Sequence, residues 1–385
     1  MLLLRLIVKN AFRHRLRAIL TIAGVAIALT AFGLMRTVLD AWHAGVSASS
    51  ANRLVTRNAV SITQPLPIAY KSRIRQVAGV NAAAAGNWFG GVYIDEKNFF
   101  ANFAVEAEDF FRLYPELVVS PAEQKAFVMD RKGAIIGRKL AERFRWRVGD
   151  TVTLRGTIFP GQWPLTIRAV YKGARPDTDE TVLYLHWAYI DEVMKKTSPR
   201  RAGQTGFFMI GIDDATRAAE ISRNIDAQFR NSQAETLTET EKAFQMGFVS
   251  MSEAILMAIT VVSYVVIVII LAVAANTMAM SARERLGEFA VLKTLGFAGP
   301  ALGGMLLAES LLLSFSGAAL AMVLLPAIAD AFAKNLAQYF PIFFVSRQTM
   351  VLLPAFGAAV GVLAAVAPAV RVGSVRIAEA FRRIG

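Results

Sequence analysis

Residues 276 to 297 read NTMAMSARERLGEFAVLKTLGF. This stretch directly follows the apolar run AILMAITVVSYVVIVIILAVAA, and another apolar run begins within about ten residues after it. Two long apolar runs on either side of a segment rich in Arg, Glu and Lys are typical of two membrane helices joined by a polar connection. The stretch therefore predicts a membrane protein.

The composition supports a membrane protein. The chain has 385 residues, of which 55% are hydrophobic, and its mean hydropathy is +0.44, which is higher than soluble domains usually reach. There is no cysteine, which excludes disulfides, thiolate metal sites and cysteine nucleophiles. The three histidines are far apart in sequence, so we expect neither a metal site nor a cofactor within this chain.

Four segments are long enough to span a bilayer, which needs about 20 apolar residues. They predict an α-helical four-span membrane domain with a large extracytoplasmic α+β domain inserted after the first span. The predicted segments are an amphipathic N-terminal helix (1–17), the first span and stalk start (18–40), the α+β domain with stalk helices at both ends (41–250), the second span (251–276), a connecting loop or helix (277–298), the third span (299–329), a short external loop (330–348), the fourth span (349–370) and a C-terminal tail (371–385).

The cations orient these spans. They cluster before the first span, in the connection 277–298 and after the fourth span, whereas the loop between the third and fourth spans has only Lys334 and Arg347. Cytoplasmic loops are enriched in Lys and Arg, so both termini and the connection are expected in the cytoplasm. The first apolar run is longer than that of a signal peptide, so we expect it to be retained. Topology accounts for the basic charge, so the expected partner is the lipid bilayer and not nucleic acid.

The predicted α+β domain has a strand–helix unit near each end and a β-rich middle. RLVTRNAVSIT (53–63) predicts a strand and PIAYKSRIRQVAGV (67–80) a helix. Near the other end, GFFMIGIDDATRAAEISRNIDAQFRN (206–231) predicts a strand, an Asp cap and an amphipathic helix. We expect the two units to pair in a ferredoxin-like manner. Further strands include ETVLYLHWAYI (180–190), and residues 34–47 and 237–253 are expected to form helical stalks.

Two interpretations fit the connection 277–298. Leu286, Phe289 or Ala290, Lys293 and Leu295 recur at near-helical spacing, and Gly296 fits the position just after a helix end. Such a helix could dock into a groove of a partner or lie on lipid. It could equally be a solvated helix that only connects two spans, and these residues alone do not choose between the two.

Five stretches resemble the FtsX/MacB-like permease family of ABC transporters, the type VII or mechanotransmission type. They are IVKNAFRHRLRAILTIAGVAIA, NTMAMSARERLGEFAVLKTLGF, LLAESLLLSFSGAALAM, RVGSVRIAEAFRR and, within the α+β domain, IIGRKLAERFRWRVGDTVTL. The resemblance runs from one end of the chain to the other. It implies a MacB-like periplasmic core domain and a multi-pass protein of the inner (cytoplasmic) membrane.

The resemblance also implies partners and a role for the connection. It implies a coupling helix that sits in a groove of an ATP-binding subunit, present in two copies, and a second permease chain. A homodimer is the expectation, although the sequence alone does not separate it from a pair of related permeases. A periplasmic adaptor and an outer-membrane channel are further partners on family grounds. The residues that match the family's coupling helix are Arg283, Glu284, Arg285, Glu288, Leu292, Lys293, Leu295 and Gly296, whereas Gly287 departs from the family pattern.

The chain lacks the G-x-x-x-x-G-K-[ST] motif that cradles nucleotide phosphates. We therefore expect ATP and Mg²⁺ to be bound by the partner subunit, and this chain not to be an enzyme. One acid, Glu309, lies about ten residues into the third span. A charge at the bilayer centre costs about 2.5–3.5 kcal/mol, so Glu309 is expected to face the protein interior and act in coupling or subunit packing. The alternative is a hydrated position near the cytoplasmic face.

Two functions share these sequence features. The first is ATP-driven export or extraction of an amphipathic substrate, and the second is mechanical signalling that activates a periplasmic partner such as a cell-wall hydrolase. The size of the α+β domain favours export. An enzymatic role for that domain has little support, because it contains no nucleophile motif and no cysteine.

Overall fold

The computed structural model describes residues 2–336, 340 and 342–374. The chain divides into two compact units. The membrane unit comprises Met1–Ala41, Ser252–Leu336 and Phe343–Gly385, and the α+β domain comprises Trp42–Met251 with Ala337–Ile342. Most of the predicted C-terminal tail, from residue 375 onward, lies outside the described residues.

The helices and strands follow in chain order. The N-terminal helices are α1 (Leu2–Ala11), α2 (Arg15–Trp42) and α3 (Ala44–Ala48). The α+β domain then contains β1 (Arg53–Asn58), β2 (Leu66–Pro67), α4 (Tyr70–Ile74), β3 (Val80–Trp88), β4 (Gly91–Val92), β5 (Asn102–Val105), α5 (Ala107–Leu113), β6 (Leu117–Val118), α6 (Pro121–Met129), β7 (Gly133–Gly137), α7 (Arg138–Phe144), β8 (Thr151–Gly156), β9 (Gly161–Gly173), β10 (Leu183–His186), α8 (Trp187–Thr197), β11 (Gln204–Thr205), β12 (Phe207–Ile212), α9 (Ala218–Gln228), β13 (Thr236–Thr240) and α10 (Glu241–Ser250). The last helices are α11 (Glu253–Glu284), α12 (Leu286–Thr294), α13 (Gly299–Leu336) and α14 (Arg347–Ser374).

Within the described residues, four helices, α2, α11, α13 and α14, are long and apolar enough to cross a membrane, which confirms the four predicted spans. Several helices continue past the predicted ends of the spans. α11 runs on to Glu284 and α13 to Leu336, because polar residues that are good helix formers extend a helix after its apolar part has ended. The apolar run therefore marks the part of a helix that suits the bilayer, and not the helix itself.

Small residues bring the helices of the membrane unit close together. A Cβ atom added at Gly317 of α13 would lie 2.7 Å from Val25 of α2, and one added at Gly361 of α14 would lie 3.0 Å from Leu311 of α13. The first distance is shorter than side chains tolerate and the second is tighter than most Cβ contacts, so glycine permits these approaches. Membrane helices commonly associate through such small residues.

One half of the α+β domain has the expected ferredoxin-like arrangement. Its strands follow the order β13-β1-β12-β3, all neighbours are antiparallel, and α4 and α9 belong to the two strand–helix units. The apolar face of α9 that the sequence predicted is buried in the core of this half. That core includes the fully buried residues Leu54, Ile74, Phe208, Ile221 and Phe229.

The other half extends the same sheet. From β3 the order continues β5-β10-β7-β9-β8-β4, with parallel pairs β5–β10 and β7–β9. Strands of this half alternate buried and exposed residues where one face meets the core, as Thr151–Gly156 does. The core of this half is rich in aromatic side chains, among them Phe89, Phe100, Trp146, Phe159 and Trp163.

Three predicted elements were wrong in part. The stretch 180–190 is not a single strand, because β10 ends at His186 and α8 begins at Trp187 with Ile190 and Met194 buried one turn apart. Residues 237–240 lie in β13, and the helix starts only where Thr240 Oγ1 accepts a hydrogen bond from the backbone N–H of Ala243. The stalk leaving the first span is likewise interrupted, since α2 ends at Trp42 and α3 is separate.

Candidate functional site

The connection between α11 and α13 forms a helical elbow within the membrane unit. α11 ends at Glu284, α12 begins at Leu286, and the residue between them, Arg285, has φ −107° and ψ 13°. The short helix α12 therefore follows α11 without a loop. The connection is helical along most of its length, as the residue spacing predicted.

A defined end stops α12. The backbone N–H of Phe297 donates to the carbonyl of Leu292 at 3.1 Å, and that of Gly296 donates to Lys293 at 3.1 Å. This pair of bonds is the Schellman motif, which needs a left-handed residue just past the helix end. Gly296 has φ +93°, a conformation that costs a glycine little. The predicted position of Gly296 after the helix end is confirmed.

Arg285 is the centre of the elbow. Its side chain is 8% exposed, and its Nη1 lies 2.8 Å from each carboxylate oxygen of Glu309 on α13, whose side chain is 3% exposed. Its Nε donates to Glu288 at 3.2 Å, and its guanidinium lies 5.0 Å from the centre of the Phe289 ring. A buried carboxylate paired in this way avoids the cost of an uncompensated charge. The acid in the third span is therefore buried and paired with the elbow.

The N-terminal helices supply two more arginines. Arg17 of α2 makes two hydrogen bonds to Glu284, at 2.7 and 2.8 Å, and Arg13 is ion-paired with Glu288. The donors on Arg13 and Arg285 hold the pKa of Glu288 below its ordinary value, although partial burial acts in the opposite direction. Exposed ion pairs contribute little singly, but here each of the three acids Glu284, Glu288 and Glu309 has an arginine partner. The network joins the N-terminal segment, the elbow and α13.

One side of α12 packs against its own membrane unit. Phe289 and Ala290 are each 1% exposed, and Phe289 belongs to the hydrophobic core of that unit. Leu292 packs partly against the same core, and Lys293 donates from Nζ to the carbonyl of Gly373 on α14 at 3.1 Å. These contacts fix α12 to the membrane unit, including α14.

The other side of α12 exposes apolar side chains. Val291, Leu295 and Phe297 are 48%, 71% and 38% exposed. The structure thus separates two leucines that the sequence placed together in the coupling helix, because Leu292 faces the membrane unit and Leu295 faces away from it. The free apolar surface of α12 consists of Val291, Leu295 and Phe297, and we call it the open face.

The remaining coupling residues fall into two groups. Glu284, Arg285 and Glu288 belong to the charge network, whereas Arg283 is exposed. Arg13 and Arg17 were not among the predicted site residues. Their signal was present in the sequence, because both lie in the basic segment before the first span, but a cation in that segment is explained equally well by membrane topology.

Two protein-family models match the chain. Residues 18–228 match the MacB-like periplasmic core domain, and residues 260–376 match the FtsX-like permease C-terminal domain. No curated protein matches the chain.

Two solved structures are similar in fold to part of the chain. The extracellular domain of the noncanonic ABC-type transporter YknZ from Gram-positive bacteria is 14% identical, with a TM-score of 0.34, and the match covers 49% of this chain and 100% of that domain. A domain described as a permease protein, from Porphyromonas gingivalis, is 11% identical, with a TM-score of 0.35, and the match covers 50% of this chain and 92% of that one.

Proposed function

Because the chain belongs to the FtsX-like permease family and carries its MacB-like periplasmic core domain, we propose that it transmits ATP hydrolysis by a separate subunit to movement of its α+β domain. The family makes the chain an integral membrane permease of an ABC-type transporter, which works with an ATP-binding partner. The identity of the docking surface, the number of partners and the use of the movement are our proposals.

The observation that carries the proposal is the two-sided construction of α12. Its inner side is fixed to the membrane unit by Phe289, Ala290 and the Arg285–Glu309 pair, while its open face presents apolar side chains. A helix that is fixed on one side can transmit a force applied to its other side to the helices at both its ends. A helix lying in a groove is also a common way for proteins to recognise each other.

We propose that α12 lies in the cytoplasm, together with both termini, and that the membrane is the inner membrane. The proposal is supported by the basic residues around the elbow, since Lys and Arg are enriched on the cytoplasmic side. ATP and Mg²⁺ would then be bound by the ATP-binding subunit on that side. This chain has no G-x-x-x-x-G-K-[ST] motif of its own.

We further propose a homodimer that binds two copies of the ATP-binding subunit. Four spans per chain are few for a transport path, and two chains supply eight. Only 17% of the most apolar part of α11 is buried by the rest of the protein, against 33% to 50% for the other three membrane-spanning helices. This open surface supports a second permease chain as a neighbour within the bilayer.

Export or extraction of an amphipathic substrate is the use of the movement that we favour. It is supported by the large α+β domain, which makes up most of the chain between the first two spans. Purification of the intact complex distinguishes this use from signalling. An outer-membrane channel or periplasmic adaptor in the complex supports export, whereas a cell-wall hydrolase supports signalling.

The docking proposal is tested at the open face with the double variant Val291→Asp/Leu295→Asp. Two carboxylates would be desolvated in an apolar groove, so we expect at least a roughly tenfold loss of the ATP-binding subunit that co-purifies. The matched control is Val60→Asp/Ile62→Asp, which adds the same charges to exposed apolar positions of the α+β domain. The measurement is ATPase activity per permease in the purified complex. Wild-type ATPase activity of the open-face variant would contradict docking at the open face and would mean that α12 only connects α11 and α13.

A further inference from the structure

The α+β domain contains a buried charge cluster at the point where the chain enters and leaves it. The entering chain passes through α3 and reaches β1 at Arg53, and the leaving chain turns from β13 into α10 at Glu241. α3 and α10 are neighbours, since a Cβ atom at Gly45 would lie 3.4 Å from Oε1 of Gln245. Arg53, the first residue of β1, and Glu241, the first residue of α10, therefore lie where the chain enters and leaves the domain.

Arg53 binds α10 to the body of the domain. It is 3% exposed, and its Nη2 lies 2.8 Å from Oε2 of Glu241 and 2.7 Å from Oε1 of Glu116. Its Nη1 donates to the carbonyl of Leu113 at the end of α5, and its guanidinium lies 3.8 Å from the centre of the Tyr114 ring. One side chain thus joins β1, α10 and the segment that follows α5.

Glu241 completes the connection to the entering chain. Its Oε2 accepts a hydrogen bond of 2.8 Å from the backbone N–H of Ser50, two residues after the end of α3. Glu241 is also the first residue of α10, where the helix dipole stabilises a negative charge. It is 7% exposed, so its charge depends on Arg53, on Ser50 and on the helix terminus. The carboxylate of Glu241 therefore joins the segment after the end of α3 to the start of α10.

We propose that Arg53 and Glu241 form a clamp that makes α3, α10 and the α+β domain move as one body. This rests on the proposed function, in which helices leading to the membrane pass movement to that domain. Without the clamp, α3 and α10 lose their buried charged contacts with the body of the domain, and displacement is lost as local bending. Arg53 and Glu241 are positioning residues in this account, since they touch no substrate.

The test uses pairs of spin labels in the full complex with its ATP-binding subunit. The chain has no native cysteine, so labels attach only at introduced ones. The pair Ser47→Cys/Ser72→Cys, at exposed positions of α3 and α4, reports how rigidly α3 is held to the domain. The pair Ser72→Cys/Gln348→Cys reports whether the domain moves when ATP is added. Excess unlabelled permease removes distances between neighbouring copies.

Arg53→Met should broaden the Ser47–Ser72 distance distribution and abolish the ATP-dependent change in the Ser72–Gln348 distance, while ATP hydrolysis continues. The matched control is Arg57→Met on the same strand, which removes the 3.1 Å ion pair to Glu239 of β13 without touching α10. It should retain both wild-type readouts. If Arg53→Met does not fold, Glu241→Gln decides, because it leaves Arg53 its partner Glu116 and should also broaden the distribution.

The two proposals fail in different ways. Wild-type distributions and wild-type movement in Arg53→Met, or a wild-type distribution in Glu241→Gln, would overturn the clamp. Absence of an ATP-dependent change in the unmutated complex would overturn the proposed function instead. In that case the Ser47–Ser72 distance distribution, measured without ATP, still tests the clamp, because Arg53→Met should broaden it.

Discussion

At the scale of single residues, the Arg285–Glu309 pair is the feature that gives the elbow a defined position. A carboxylate in a membrane span and an arginine at a helix junction are each costly when buried alone. Together they are satisfied only if α12 and α13 keep their relative position. The pair therefore fixes the position of α12 relative to α13 at the proposed docking site of the ATP-binding subunit.

Substitutions at Glu309 test this pairing. Glu309→Gln leaves the buried Arg285 with only the more exposed Glu288 as a counter-charge. Removing one partner of a buried pair costs about 3–5 kcal/mol. Glu309→Lys adds a second cation beside Arg285 and should be more damaging still. We expect a lower thermal midpoint of the solubilised permease in the order wild type, Gln, Lys. The double variant Arg285→Met/Glu309→Met removes both charges and should recover most of the loss. Equal midpoints for wild type and Glu309→Lys would contradict the pairing.

At the scale of helices and strands, the sequence predicted the elements that depend on one dominant physical effect. The four spans follow from the apolar composition that a bilayer demands, and the apolar face of α9 follows from its helical period. The ends of helices were less predictable. β13 gives way to α10 at Thr240 because of one side-chain hydrogen bond, and a threonine alone does not reveal whether it makes that bond.

The two sides of α12 could not be assigned from sequence for a related reason. The helix is apolar on both sides, with Phe289 and Ala290 turned inward and Val291 and Leu295 turned outward. A single apolar stripe would have marked the packed side, but two stripes leave the choice to the tertiary contacts. The charge network could not be predicted from the sequence either, because Arg13 and Arg17 lie far along the chain from their partners Glu288 and Glu284 and meet them only in the folded protein.

The end of α12 offers a prediction at this scale. Gly296→Ala places a Cβ at φ +93°, which costs about 1–2 kcal/mol even though no other atom lies within 4 Å. The Schellman bonds should weaken, and the amides of Gly296 and Phe297 should exchange hydrogen faster. Gly304→Ala in α13 is the matched control, since its Cβ also meets open space but the glycine lies within a helix. Unchanged exchange in Gly296→Ala would show that the motif does not hold the helix end.

At the scale of the whole molecule, the chain is built from two units with separate hydrophobic cores. The ferredoxin-like half pairs β1 with β12 and β13, which lie about 150 and about 180 residues later in the chain. The middle of the domain is inserted between these strands without disturbing their order. The entry and exit of the domain are thereby brought side by side, which suits a domain inserted between two membrane helices.

Topology gives the last prediction. If α12 faces the cytoplasm and the α+β domain lies outside it, Ser120→Cys should react with a membrane-impermeant maleimide in intact cells, whereas Thr294→Cys should react only after permeabilisation. Both positions are exposed within their own units, so access to reagent depends on the membrane alone. Thr178→Cys is the control for burial, since Thr178 is 7% exposed and should stay unlabelled in both conditions until the protein is unfolded. Labelling of Thr294→Cys in intact cells would place α12 on the side opposite to ATP, and no ATP-binding subunit could then dock on its open face.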